Sequence, residues 1–343
     1  MNVTRPFLVS TLFVAVILAN GGERTKAGGF GHRPSLGKPI EGLNFDQLKL
    51  FRDGKEVFAE EEEAADGLGP IFNNTGCAVC HSVPVVGGSS PINETRAGRL
   101  QGGRFVELPG GSLFQDQGIS ASCAETVPSD ANVKELRQTQ PLFGLGLIEA
   151  IPDVQIQIYA AQQARRYPEQ AGRINIVRDA PTGALRVGRF GWKDQQATLL
   201  AFAGDAYLNE MGITSPHFPT ENAPNGDLAK LRACDTVPDP EDDGADVVAF
   251  ANFMRLLAPP PREDSRNGSP GGGRHDDRDR DGGRGHGPQG ADRDRFGGPP
   301  VADRGEMLLE RVGCAVCHHS GFTAVSAIQV IGGERVNAFS DLL

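Results

Sequence analysis

Apolar residues recur at helical spacing at several places along the chain. Phe45, Leu48, Phe51 and Phe58 follow Asn44, a fair helix N-cap, and lead into four glutamates, so a helix with one apolar face is expected. A second pattern starts at Pro152, whose ring suits a first helical turn, and continues through Ile158 and Tyr159 towards Tyr167. A third places Val247, Phe250, Phe253, Met254 and Leu257 on one side of a helix from Asp246 to Leu257, stopped by Pro259 to Pro261. A shorter version of the first design occupies Asp303 to Glu310.

Two stretches break the pattern. From Phe7 to Ala19 the chain is apolar and uncharged, behind Arg5 and ahead of small and polar residues. The run is shorter than the roughly 20 residues that cross a bilayer, so it predicts an export signal over residues 1–27 and a periplasmic or otherwise extracytoplasmic protein. An uncleaved membrane anchor is the competing reading, and no other run is long enough to span a membrane. From Arg262 to Pro300, eight Arg and eight Asp or Glu are scattered among Gly and Pro with almost no apolar residue. Such a stretch cannot bury enough surface to offset the entropy of ordering, so a disordered linker is expected, with His275 and His286 solvated. The linker separates a long segment, 28–261, from a short one, 301–343.

Composition narrows the class. The chain has 343 residues and a net charge of -10, which argues against nucleic acid as a partner because phosphate binding needs a basic surface. The length allows roughly two ordinary domains. With one Trp and three Tyr, part of the interior must be filled by something other than large rings.

That something is suggested by a repeat. Gly76-Cys77-Ala78-Val79-Cys80-His81 recurs as Gly313-Cys314-Ala315-Val316-Cys317-His318, so the pentapeptide C-x-x-C-H occurs twice. Two thiols about one helical turn apart can add to the two vinyl groups of one haem, and the next residue then offers its imidazole to the iron. The expectation is therefore two covalently attached c-type haems, held by Cys77, Cys80, Cys314 and Cys317, with His81 and His318 as proximal iron ligands. A four-cysteine zinc site is a poorer fit, because zinc ribbons separate their pairs by about 15 to 20 residues and leave the histidines unexplained. A thioredoxin-like redox pair would not be duplicated, and a disulfide inside C-x-x-C has poor geometry. Cys123 and Cys234 remain, and an exported chain usually pairs such a remainder, here as a staple across the middle of the first segment, with two buried free thiols as the competing reading.

Longer segments carry a resemblance. Pro141-Leu142-Phe143-Gly144-Leu145-Gly146-Leu147-Ile148-Glu149-Ala150-Ile151-Pro152-Asp153, Gly188-Arg189-Phe190-Gly191-Trp192-Lys193, Asn209-Glu210-Met211-Gly212-Ile213-Thr214 and the run from Phe250 to Pro260 resemble the bacterial di-haem oxidoreductases, also called thiol oxidoreductases or putative peroxidases. The resemblance implies a relative of the di-haem cytochrome c peroxidases: a mainly α protein, with a cytochrome c-like haem domain over 28–261 carrying inserted loops, and the start of a second one over 301–343. In that family a second Met-Gly element and a further helical segment follow the second haem motif. This sequence stops at Leu343, so the second domain is expected to be incomplete.

Further site residues follow from these readings. Met211, a thioether on a Gly-flanked loop between the first pentapeptide and the closing helix, is the preferred distal ligand of the first haem. Met254 and His217 are its rivals, Met254 being better suited to the core and His217 to a loop, while His319 is expected to point away from the iron. Trp192 is a candidate for the electron path between the haems, or a packing residue beside one of them. Glu149, in an apolar stretch, is a candidate acid–base group, or a helix-start carboxylate ahead of Pro152. Two functions remain: a di-haem oxidoreductase with peroxidase-like activity, or a non-catalytic electron carrier, each served by a redox protein or a small-molecule donor.

Overall fold

In the computed structural model, residues 36–261, 301–340 and 342–343 are described. The expected signal, the linker, His275 and His286 lie outside them. The element order begins with α1 (Phe45–Phe58), β1 (Ile71–Phe72), α2 (Cys77–Cys80), β2 (Asn93–Gln101), β3 (Arg104–Val106), β4 (Leu113–Phe114), β5 (Gln117–Gly118) and β6 (Val133–Gln138). It continues with α3 (Leu145–Glu149), α4 (Asp153–Arg166), β7 (Ile176–Arg178), β8 (Leu185–Val187), α5 (Leu199–Ala206), α6 (Leu228–Cys234) and α7 (Ala245–Leu256). The short segment holds α8 (Val301–Arg311), β9 (Phe322–Thr323) and β10 (Arg335–Val336).

The architecture corrects the expectation of a mainly α protein. Ten strands form four small antiparallel sheets among the described residues, so the fold mixes helix and sheet. The largest sheet is built on β2, which pairs with β3, β4 and β6 within the first segment. Its strands are polar, as in Val133-Lys134-Glu135-Leu136-Arg137-Gln138, and lack the alternation that marks a half-buried strand. Backbone pairing from Asn93↔Gln138 to Gly98↔Val133 holds the register, helped by the cross-strand ion pair of Arg137 with Glu94 at 3.9 Å. Its apolar underside is small, made by Ala97, Leu108 and Phe114.

The expected helices do form. Asn44 caps α1 through a reciprocal box: the Gln47 amide donates to Asn44 Oδ1 at 2.9 Å and the Asn44 amide to Gln47 Oε1 at 3.0 Å. α1 packs along α7, where Phe253 meets Phe51 at 5.4 Å and Phe58 at 4.9 Å between ring centroids, and Phe250 meets Tyr207 edge-on at 5.0 Å. Such pairs add about 0.5–1.5 kcal/mol each beyond their burial. Gly54 brings the two backbones together, since a Cβ there would stand 2.4 Å from Ala249 O. α5 and a π turn over Tyr207–Met211 complete this core.

A second core is shared by both segments. Ile151, Ile156 and Val187 pack with Phe322, Ala324, Ile331, Val336 and Leu342. The Val325 amide donates to Ala150 O at 2.7 Å, and Gln155 exchanges two bonds of 2.9 Å with the Thr323 backbone. The chain after the second pentapeptide is thereby fixed on α4 and β8.

Candidate functional site

Each pentapeptide forms a single tight turn that aligns its two thiols and its histidine. In the first, α2 closes with the His81 amide donating to Cys77 O at 3.0 Å. Gly76 precedes it because the backbone passes against Glu60, whose carbonyl would lie 2.4 Å from a Cβ. In the second, the turn is 3-10 over Cys314–Val316, and the His318 amide donates to Cys314 O at 2.9 Å. There Gly313 has open space around it but a φ of +87°, which a side chain would strain. The same glycine serves close approach in one copy and a left-handed turn in the other.

The two imidazoles are held alike. His81 Nδ1 lies 3.1 Å from Gly88 O and His318 Nδ1 lies 2.9 Å from Phe339 O. A carbonyl only accepts, so Nδ1 carries the proton and donates, and in the neutral ring Nε2 keeps its lone pair. Orientation by a backbone carbonyl is the usual support of a metal-bound histidine. Burial holds His81 below the ordinary histidine range, against the pull of the Gly88 and Gln140 carbonyls.

The thiols differ in exposure. Cys77 and Cys80 are half-buried, and Cys77 packs against the α1/α7 core; Cys314 and Cys317 are exposed. Burial pushes the Cys77 thiol up to about 12, and burial together with the nearby Glu210 raises Cys80. All four thiols are free, so neither C-x-x-C has closed on itself. Among the described residues the four sulfurs do not converge on one point, so the zinc alternative has no four-cysteine site.

Beside the second pentapeptide lies a cavity of about 480 Å³, lined by Ala302, Gly305, Leu309, Cys314, His318 and Phe339, with Glu306. That size falls within the roughly 300–1,000 Å³ of cofactor pockets. Residues 302, 305, 306 and 309 form one face of α8, and small residues at 302 and 305 let a flat group approach the helix. The donors fit a haem: paired thiols, an oriented imidazole and an adjoining cavity with a largely apolar wall. α4 fixes this pentapeptide in place. Tyr159 Oη and Gln163 Nε2 both donate to Val316 O, at 2.9 and 2.7 Å, and His319 stacks on Tyr159 at 4.1 Å.

The other expected residues are dispersed. Met211 is buried in the core against which Cys77 and Ala78 pack, and Met254 lies in the same core on α7. His217 is half-buried in the turn between Ser215 and Phe218. Glu149 forms a two-pronged ion pair with Arg255, at 2.6 and 3.1 Å, and accepts the Leu199 amide at 2.8 Å, tying α3 to α5 and α7. Trp192 is half-exposed under the Arg137 guanidinium, 5.3 Å from the ring centre. Cys123 and Cys234 are joined in a disulfide.

One group escaped the sequence reading. Glu210, within a quoted segment but given no role there, is half-buried beside the first pentapeptide and accepts from Asn73 Nδ2 at 2.6 Å. Burial and the neighbouring Glu94 carboxylate push it up to about 8. Glu94 comes from β2, so the pairing depends on a sheet that the sequence did not reveal.

Neither the curated proteins nor the solved structures contain a match to the chain. Residues 115–249 match a family model described as "Di-haem oxidoreductase, putative peroxidase", a stretch that excludes both pentapeptides and includes three of the four resembling segments. That match supports placing the chain in the di-haem oxidoreductase family.

Proposed function

We propose that the protein is an exported c-type cytochrome oxidoreductase that binds one haem at each pentapeptide and has peroxidase-like activity. The observation that carries this reading is the shared geometry of His81 and His318, each donating through Nδ1 to a backbone carbonyl beside two free thiols. Cys77, Cys80, Cys314 and Cys317 would hold the haems, each thiol adding across one vinyl group with sulfur to one carbon and hydrogen to its neighbour, and no other reactant would be consumed. When bound, the haems supply one-electron redox chemistry. The protein's part is to hold Nε2 of each imidazole in place and to exclude water at the first pentapeptide with Phe58 and the α1/α7 core. Export rests on the apolar run from Phe7 to Ala19. Among the described residues no helix is long and apolar enough to cross a membrane.

The test is expression in a host that matures c-type cytochromes. The secreted chain should carry the mass of two haems and a Soret band, with one haem lost when Cys77 and Cys80 are both replaced by alanine and the other lost when Cys314 and Cys317 are. A chain with the mass of its amino acids alone would falsify the proposal. A high-spin haem that reacts with peroxide supports the oxidoreductase, whereas two unreactive six-coordinate haems make the protein an electron carrier.

A further inference from the structure

Away from both pentapeptides, three carboxylates meet on irregular backbone. Glu221 lies on the loop that follows Met211, and Asp239 and Glu241 lie between α6 and α7. One oxygen of each is within 4.8 Å of one from each of the others. Acidic clusters are common on surfaces, but this one contains a side chain that the protein leaves unsatisfied. Glu221 is 8% exposed. Its Oε1 accepts the amide of its own neighbour Asn222 at 2.9 Å, while Oε2 is sealed from solvent with no hydrogen-bond partner among the described residues. A buried carboxylate oxygen without a partner costs several times what an ordinary hydrogen bond contributes, so such an atom calls for a ligand.

Among the described residues its strongest charged neighbours carry its own sign. The charged groups acting on Glu221 are Glu241, Asp239 and Asp235, all acidic, and with burial they push it up to about 9. The other two carboxylates are set in position beforehand. Thr214, fully buried, donates its amide to Glu241 Oε2 at 2.9 Å and its one hydroxyl proton to the same oxygen at 2.5 Å, with Asp239 Oδ1 3.1 Å from the hydroxyl oxygen.

We propose that Glu221, Asp239 and Glu241 bind one calcium ion. All the donors are carboxylate oxygens, without His or Cys, which selects a hard cation over zinc or copper. Three carboxylates on irregular loops suit the variable, many-oxygen shell of calcium. Magnesium demands a near-ideal octahedron and keeps most of its water. The ion would link the loop after Met211 to the loop that leads from Cys234 into α7.

The experiment uses the full chain, stripped with a chelator and dialysed, with metal content measured directly and calcium chloride or magnesium chloride titrated by calorimetry. Because the ion is counted, the result does not depend on haem absorbance. One calcium per chain is expected, with a rise in the unfolding temperature that magnesium does not reproduce. Glu221→Gln should weaken calcium binding about tenfold or more, because it removes one ligand charge. In chelator the same variant should be about as stable as the parent, since without the ion Glu221, raised to about 9, is already neutral at pH 7 as the amide is; this separates a lost ligand from a damaged fold. Asp239→Asn, at an exposed position, should weaken binding without changing the metal-free stability. Absence of calcium from the parent, an equal response to magnesium, or undiminished binding by both variants would overturn the assignment.

Discussion

Arg189 has no exposed side-chain surface, yet it carries a charge. It donates to Ile151 O at 2.5 Å, Glu149 O at 3.1 Å and Val187 O, and pairs with Asp153. Asp153 also accepts the Val187 amide at 2.9 Å. These two residues come from two of the segments that resemble the di-haem oxidoreductases, and the structure joins them at the start of α4. Burial pushes the Asp153 carboxyl up, but the Val187 amide and the Arg189 and Arg186 guanidinia outweigh it and hold the group below the ordinary aspartate range. A carboxyl depressed in the folded state stabilises the protein above its unfolded pKa of about 3.9 and loses that contribution as pH falls through the folded value. Asp153→Asn should therefore cost about 3 kcal/mol or more at neutral pH, because it strands the buried guanidinium. The difference from the parent should begin to shrink below about pH 3.9, where the carboxyl of the unfolded chain starts to protonate, and be lost as pH falls through the lower folded value. Urea unfolding at neutral and acid pH reads both effects, and an equal cost at both would show that the charge plays no part.

Among the elements, the α1/α7 pair was legible in sequence because both helices expose an uninterrupted apolar face at helical spacing. The closeness of their contact was not, since a single glycine inside a helix pattern does not say what lies opposite. Gly54→Ala would drive a Cβ to 2.4 Å from the Ala249 carbonyl and 3.1 Å from the Phe253 amide, both backbone atoms. The helices would have to separate, at a cost of about 1–3 kcal/mol by the usual penalty of overpacking. Chemical denaturation should show a lower midpoint with little change in slope. α4 was also foreseeable from Pro152 and its periodic residues, but its task was not. Replacing Gln163 by Leu and Tyr159 by Phe removes both side-chain donors to Val316 O. Hydrogen exchange should then accelerate around 313–318 while α1 and α7 keep their protection; unchanged exchange there would mean that α4 does not anchor the pentapeptide. The β2 sheet was hidden for a physical reason: its cohesion is in backbone pairing and charge pairs, and it buries too few side chains to leave a pattern.

At the scale of the whole molecule, the Cys123–Cys234 bond spans a sequence separation of 111 residues and encloses all of β6, α3, α4 and α5. Replacing both cysteines by alanine should lower unfolding stability by about 2–5 kcal/mol, mainly by freeing the unfolded chain. Calorimetric unfolding of the double variant against the parent measures it, and no loss would mean that the packed cores alone fix this loop. The paired pentapeptides, the remaining two cysteines and the amphipathic helices could be read from the sequence because each is a local pattern: a spacing, a count or a periodicity. Tertiary structure decided that the class is mixed rather than mainly α, that Glu149 pairs with Arg255, that Trp192 lies under Arg137 near the surface, and that Glu94 and Glu210 meet in one half-buried place. It also gathered Glu221, Asp239 and Glu241. Each of these depends on groups distant in the chain meeting in one volume, where burial and neighbouring charge set their chemistry, and no local spacing encodes that meeting.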